Sequence, residues 1–242
     1  FSLDLPGLQV WQCHESKGAG CSFRDANDGR ILFQIPRAGD VGRCMAADID
    51  PNNPGLELWA ANGIGLLNVE GEAIASPRLP INMAIWWDGD LLRELLDGVS
   101  VFKYDWQTGA CRPIATFRGC AANNGTKATP CLAGDIVGDW REEVLVRTEN
   151  NRALRLYVST IPTEFRFHAF LEDRAYRETL AAQNVGYNQP TQPGFYFGPD
   201  LLRRGGVFRG MPMPGGTQAR NSKKPAKTKA RGDANDEKRE RR

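Results

Sequence analysis

Apolar residues along most of this chain come in short runs, separated by turn pairs such as Asp28-Gly29, Asn62-Gly63, Glu70-Gly71, Asp97-Gly98, Thr108-Gly109 and Asn150-Asn151. Helical periodicity is scarce. That cadence predicts an antiparallel, all-β chain. The segment LLRELLD (91–97) has helical spacing, but its alignment with a second segment overrides that reading. DGDLLRELL (88–96) and VGDWREEVL (137–145) share Gly-Asp, three residues, then Glu and aliphatics. Gly89, Asp90 and Glu94 match Gly138, Asp139 and Glu143 at a constant offset of 49. DIDPNNPGLELW (48–59) is a looser relative, with Asp50 and then Glu57 before Leu58-Trp59. After each anchor the pattern predicts strand, turn, strand, turn, strand, and residues 8–35 fit the same plan. A period of roughly 40–50 residues with several strands each is the signature of β-propeller blades. About four blades are visible. Four is the lower limit for closing a ring, so a larger ring cut in half fits equally.

Charge divides the chain. The net of +2 conceals a body and a tail of opposite sign. Residues 201–242 hold 13 Lys/Arg and 4 Asp/Glu, leaving 18 basic and 25 acidic residues in 1–200. From about Gly205 onward Gly, Pro, Ser, Lys and Arg dominate, with too few aliphatics to offset ordering entropy. The expectation is a propeller part over 1–204 and a disordered basic tail over 205–242. A basic tail can touch anionic surfaces, but a solvated tail with no specific nucleic-acid partner is the simpler reading. No signal peptide and no run of about 18 apolar residues is present. The chain opens at Phe1 without methionine and enters a strand almost at once, which reads as a fragment whose N-terminal part is missing. Six cysteines permit disulfides, with pairing undetermined, and no C-x-x-C spacing suggests a zinc ribbon.

The repeated anchors are acidic. Asp48, Asp50 and Asn52 form D-x-D-x-N, similar to the first half of a calcium loop, where side-chain oxygens alternate. Asp88, Asp90 and Glu94, and Asp135, Asp139 and Glu143, gather hard oxygen ligands in the same way. Ca²⁺ takes six to eight oxygens, so carbonyls and waters would complete each site. The competing reading is a hydrogen-bonded acidic turn without metal. Three turns in register favour Ca²⁺ in a structural role.

Two other stretches stand out. AANNGTKATPC (121–131) contains Asn124-Gly125, a turn signal, and Lys127, the lone lysine between Lys103 and Lys223. LAAQNVGYNQPTQPGFYFG (180–198) is rich in amides and aromatics. That mixture suits sugars, whose hydroxyls need both donors and acceptors. It equally suits a C-terminal extension packed on a blade. His14 and His168, far apart in sequence, read as packed or surface histidines, and Trp86-Trp87 as core. No G-x-S-x-G, Walker A or dinucleotide fingerprint occurs.

With these segments on the page, GRCMAADIDP (42–51), IWWDGDLLRELLDG (85–98), residues 123–157 and QNVGYNQPTQPGFYFG (183–198) closely resemble the C-terminal half of family 11 polysaccharide lyases, the rhamnogalacturonan lyases. The resemblance covers nearly all of residues 1–200. It implies part of an eight-bladed propeller with bound calcium, and cleavage of the rhamnose-(1→4)-galacturonate bond of rhamnogalacturonan I by β-elimination. It implies a substrate loop at Asn124, Gly125, Thr126 and Lys127, a substrate-contacting Tyr187 and a functional Arg43. Because the substrate is a polymer, it also implies an exported protein, and a monomer is expected. Elimination removes the proton α to a uronate carboxylate. A cation on the carboxylate stabilises the enolate-like transition state, and a neutral base takes the proton. A lysine or arginine acting as that base needs its pKa lowered by burial or nearby positive charge. Lys127 as base or acid with Arg43 on the carboxylate is one assignment, and the reverse is the other. A calcium-stabilised propeller that binds acidic glycans without cleaving them is the alternative function, and a mis-assigned reading frame is a third reading.

Overall fold

The computed structural model describes residues 1–185 and 188–203. The expected tail beyond Gly205 and the expected substrate contact Tyr187 lie outside the described residues. Fifteen strands form four separate antiparallel sheets among those described. The first sheet holds β1 (Gln9–Cys13), β2 (Cys21–Asp25) and β3 (Ile31–Ile35). The second runs β4 (Cys44–Ala47), β5 (Glu57–Ala60), β6 (Ile64–Leu67) and β7 (Ala73–Ala75) in order. The third does the same with β8 (Met83–Ile85), β9 (Glu94–Asp97), β10 (Ser100–Asp105) and β11 (Ala110–Thr116).

The fourth sheet departs from the pattern. Its central strand β14 (Glu143–Thr148) pairs with β15 (Leu154–Tyr157) on one side. On the other side it pairs with two short pieces, β12 (Cys120–Ala121) and β13 (Leu132–Gly134). These pieces are one interrupted edge strand. Residues 122–131 leave the ladder and return to it, closed by an isolated bridge between Asn123 and Thr129.

The chain is all-β in its body, as the turn cadence predicts. LLRELLD supplies β9 rather than a helix, because both faces of Leu95 and Leu96 are buried and the strand is paired on each side. The sheets pack through aliphatic and aromatic side chains, with Leu58, Leu66, Met83, Ile85, Leu95, Leu96, Val144 and Val146 fully enclosed. Beyond β15 the described chain forms no further strand. It crosses the ends of the third and fourth sheets as a strap, with helix α1 (Arg174–Ala182) and a short α2 (Asp200–Arg203). Asp173 caps α1 by accepting from Tyr176 N at 2.9 Å. Phe197, from the strap, packs against Trp86, Trp140, Phe167 and Phe170 with ring centroids 4.8–5.8 Å apart. The aromatic residues of the 180–198 stretch therefore include core anchors. Gln183 is also committed to packing, accepting from Ala133 N at 2.8 Å and donating to Ala133 O at 2.7 Å.

Candidate functional site

The acidic turns share one device. Each anchor glutamate opens the second strand of its sheet, opposite the last residue of the first strand: Ala47↔Glu57, Ile85↔Glu94, Gly134↔Glu143. From there its Oε2 accepts two consecutive backbone N–H groups of the turn. Glu57 takes Ile49 and Asp50 at 2.8 and 3.0 Å. Glu94 takes Trp87 and Asp88 at the same distances. Glu143 takes Ile136 and Val137, both at 2.8 Å. These N–H groups lie past the end of the ladder; apart from that of Ile136, which is shared with the Gly134 carbonyl at 2.8 Å, they would otherwise lack a backbone acceptor, so the carboxylate extends the sheet. Burial pushes all three carboxyls up: Glu143 to about 7, Glu94 to about 8, and Glu57 well above its usual range with Asp48 adding to the effect.

What faces the remaining oxygens differs from turn to turn. In the third sheet Lys103, on β10, places Nζ 2.8 Å from Asp88, 2.8 Å from Asp90 and 2.5 Å from Glu94. Burial pulls the ammonium down, but Glu94, Asp90 and Asp88 more than offset this and hold it above its usual value. The expected calcium ligands Asp88, Asp90 and Glu94 therefore converge, but on a lysine ammonium. In the fourth sheet Asp135 accepts from Asp139 N at 2.9 Å and Phe170 N at 2.7 Å. Asp139 pairs with Arg141 at 3.0 Å. In the second sheet Asn52 sits on the surface and donates to Asp50. Asp48 accepts from the Tyr196 hydroxyl, and Asp200 accepts from Gly55 N at 2.8 Å. Glu57 is fully buried, and its Oε1 has no hydrogen-bond partner among the described residues. Among the described residues, Asp88, Asp90 and Glu94 are the acidic group whose ligand atoms lie within 4.8 Å of one another, and there Lys103 already supplies the positive charge.

The repeat glycines serve different needs. Gly138 has φ 81°, a left-handed conformation that favours glycine. At its counterpart Gly89, a Cβ would meet the Pro162 carbonyl at 2.3 Å, so there the need is close approach.

The Asn124–Lys127 segment occupies the excursion of the fourth sheet. It forms a single 3-10 turn over Gly125–Lys127, with Asn124, Gly125 and Ala128 all at positive φ (60°, 53° and 48°). Asparagine and glycine tolerate this region, whereas for Ala128 it costs about 1 kcal/mol. Anchors at the base hold the conformation. Asn123 and Thr129 exchange backbone bonds at 2.8 and 3.2 Å, and Asn124 Nδ2 donates to Thr129 Oγ1 at 2.9 Å. Arg147 reaches in from β14 to Asn123 Oδ1 and the Ala122 carbonyl, and Gly98 N donates to the Ala128 carbonyl at 2.9 Å. Asn124, Gly125 and Thr126 are exposed and Lys127 is half-buried.

Arg43 immediately precedes β4 and is 7% exposed. Its Nη2 donates to the carbonyls of Asn82 (2.6 Å) and Asn188 (2.9 Å), and its Nε to that of Ile81 (3.3 Å). Burial lowers its pKa. Asn188 is the joint between motifs. Its carbonyl accepts from Arg43, and its side-chain amide donates to the Pro130 carbonyl at 3.1 Å. Arg43, the base of the Lys127 loop and the segment that follows Tyr187 are thus tied together, although they lie far apart in sequence. The charges of Arg43 and Lys127 also converge on one group, the Cys13 thiol.

Several groups at this face were not anticipated from sequence. Arg93 is buried over the Trp86 ring, 4.1 Å from its centroid, and donates to Ala84 O, Thr191 O and Glu142. Glu142 in turn accepts from Trp86 N, the Tyr176 hydroxyl (2.6 Å) and the Thr191 hydroxyl. This network clamps the strap onto the third and fourth sheets. Glu142 sits beside the anchor Glu143, so the doubled acid in WREEV was its visible signal. Lys103 was visible only as one of few lysines in an acidic body. His14 and His168 are engaged locally, with Ser22 at 2.8 Å and Glu172 at 3.1 Å.

The family model for the C-terminal domain of rhamnogalacturonan lyase family 11 matches residues 1–205. Rhamnogalacturonan endolyase YesW of Bacillus subtilis (strain 168) is 53% identical over 203 residues, covering 82% of this chain and 32% of that protein. Rhamnogalacturonan exolyase YesX of the same organism is 43% identical over 216 residues, covering 81% and 35%. The crystal structure of rhamnogalacturonan lyase YesW superposes with a TM-score of 0.77 at 52% identity, over 80% of this chain and 33% of that one. The chain spans about a third of the length of the curated relatives it matches.

Proposed function

Because the chain belongs to rhamnogalacturonan lyase family 11, as its C-terminal domain, we propose that it forms part of an exported polysaccharide lyase acting on rhamnogalacturonan I. In this reading the enzyme breaks the rhamnose-(1→4)-galacturonate bond by β-elimination. The C5–H bond gives its electrons to a new C4=C5 double bond as the C4–O bond breaks. The oxygen leaves with the rhamnose and takes up a proton, and the proton from C5 goes to a base. Lys127 is the residue assigned to proton transfer, half-buried at the end of a braced turn. Asn124, Gly125 and Thr126 hold the sugar beside it, and Tyr187 remains assigned to the substrate by resemblance. Arg43 adds positive charge and fixes Asn188, so it acts as a positioning residue as much as a carboxylate partner.

The observation that carries the reading is the double engagement of Asn188 by Arg43 and Pro130, which ties the three implied motifs into one place. Four consecutive sheets, three of them with the repeated glutamate anchor, support blades of a larger propeller, in which the protein works as a monomer. Structural calcium is proposed at the acidic turns, supported at Asp48, Asp50 and Asn52 by the unsatisfied Oε1 of buried Glu57 and at Asp88, Asp90 and Glu94 by the convergence of their carboxylates. Asp135, Asp139 and Glu143 offer a weaker set, because Arg141 already serves Asp139.

One observation favours glycan binding without cleavage: three of the contacts of Arg43 are to backbone carbonyls. The test is Lys127→Ala in the full-length parent, incubated with rhamnogalacturonan while following the ultraviolet absorbance of the unsaturated uronate. The expected result is a loss of about 10²-fold or more with binding retained. A wild-type rate would sink the assignment, and binding with no double bonds from the wild-type parent would establish the second reading.

A further inference from the structure

Cys13 ends β1 and Cys44 begins β4, so each closes a strand where the first and second sheets meet. Three contacts hold these strand ends together. Trp11 Nε1 donates to Trp59 O at 3.1 Å, the Cys44 thiol donates to Trp11 O at 3.7 Å, and Val41 N donates to His14 O at 3.1 Å. Both thiols pack, half-buried, against the same core cluster between the first and second sheets. Both line a cavity of about 560 Å³ that opens between the first sheet and the strap, so a small reagent has a path to them. Cys21, the cross-strand partner of Cys13 on β2, is fully buried.

We propose that Cys13 and Cys44 are a reversible dithiol–disulfide pair, which when closed staples the first sheet to the second beside Arg43.

The chemistry divides the roles. The neighbouring Cys44 thiol, reinforced by Arg43 and Lys127, brings the Cys13 thiol down to about 7. The thiolate is the attacking form, so Cys13 reacts first. Burial pushes the Cys21 thiol up to about 12, and the neighbouring Cys13 thiol together with burial raises Cys44. The oxidant is a small disulfide of the glutathione class. The Cys13 thiolate attacks one of its sulfurs, forming a mixed disulfide and releasing one thiol. Cys44 then loses its proton, its sulfur attacks that of Cys13, and the second thiol leaves. Two electrons and two protons pass from the protein to the reagent, which ends as two free thiols. The bridge closes a loop of about 30 residues, a span over which a native-geometry disulfide restricts the unfolded chain appreciably. Since Arg43 precedes Cys44, the bridge also fixes the backbone that positions the guanidinium.

Oxidised glutathione is the probe. After incubation, free thiols are alkylated and peptides are mapped by mass spectrometry without reduction. The expected product is a Cys13–Cys44 linked peptide, with the thermal midpoint raised by about 5 °C and reversed by a reducing agent. Cys44→Ser should trap glutathione on Cys13, whereas Cys13→Ser should leave Cys44 alkylated. A Cys13–Cys21 link, or both thiols alkylated after oxidation of the wild-type chain, would overturn the proposal. The wild-type mapping decides the matter even where a variant does not fold.

Discussion

The turns after β4 and β8 are built from the same sequence device and differ in one neighbour. In both, an anchor glutamate accepts two backbone N–H groups at 2.8 and 3.0 Å, and aspartates follow the strand end. After β8 an ammonium from β10 sits among the carboxylates, while after β4 the Oε1 of buried Glu57 meets no hydrogen-bond donor among the described residues. The lesson is that the backbone of such a turn and the charge balance of such a turn are set by different residues. The first is written in the local repeat. The second comes from a strand partner whose identity the repeat does not constrain.

The strongest way to break this comparison is to remove the shared cap. Glu57→Ala and Glu94→Ala should each destabilise by about 2–4 kcal/mol in urea unfolding, since each orphans two N–H groups. A cost under about 1 kcal/mol at either position would mean that the two caps are not equivalent. The next is Lys103→Met, which should convert the second kind of turn into the first. Without divalent ions it should cost about 1–3 kcal/mol, less than for a fully buried pair because Asp90 is half exposed. Millimolar calcium should restore much of that loss, and an unresponsive variant would refute the equivalence.

A smaller effect concerns pH. The Glu143 carboxyl is raised to about 7 from an ordinary 4.5. Between those values the folded chain holds more protons than the unfolded chain, so this contribution to stability is complete below 4.5 and is lost as pH rises through 7. In chelator the thermal midpoint should fall across that window, and calcium should flatten the decline. Absence of any slope in chelator would count against the assignment. The smallest effect is the control outside the repeat. Ala128→Gly relieves a left-handed alanine and should shift stability by no more than about 1 kcal/mol, leaving the calcium response unchanged. A changed response would tie the loop to the acidic turns.

Much of this fold was legible because turn pairs and the offset of 49 between Asp90/Glu94 and Asp139/Glu143 are local facts. The strands followed from them, including β9 against its helical spacing. The implied motif around Lys127 was legible through resemblance, and the structure adds how Asn188 joins it to Arg43. What was not legible is long-range. Lys103 reaches its acids from a neighbouring strand, and Arg93 meets Glu142 only after the third and fourth sheets pack. Cys13 and Cys44 line one cavity only because β1 lies against β4. The 180–198 stretch was ambiguous for a related reason. Its amides look alike in sequence, but Gln183 completes a backbone pairing while Gln189 remains on the surface.

The interrupted edge of the fourth sheet has a consequence for how such a protein can change. Residues 120–121 and 132–134 are paired to the same edge of β14, so the register is set independently on both sides of the loop. Insertions or deletions between them leave the hydrophobic alternation of the sheet in phase. The loop is thereby a cassette in which length and chemistry can be exchanged between relatives, while the scaffold beneath keeps its alignment.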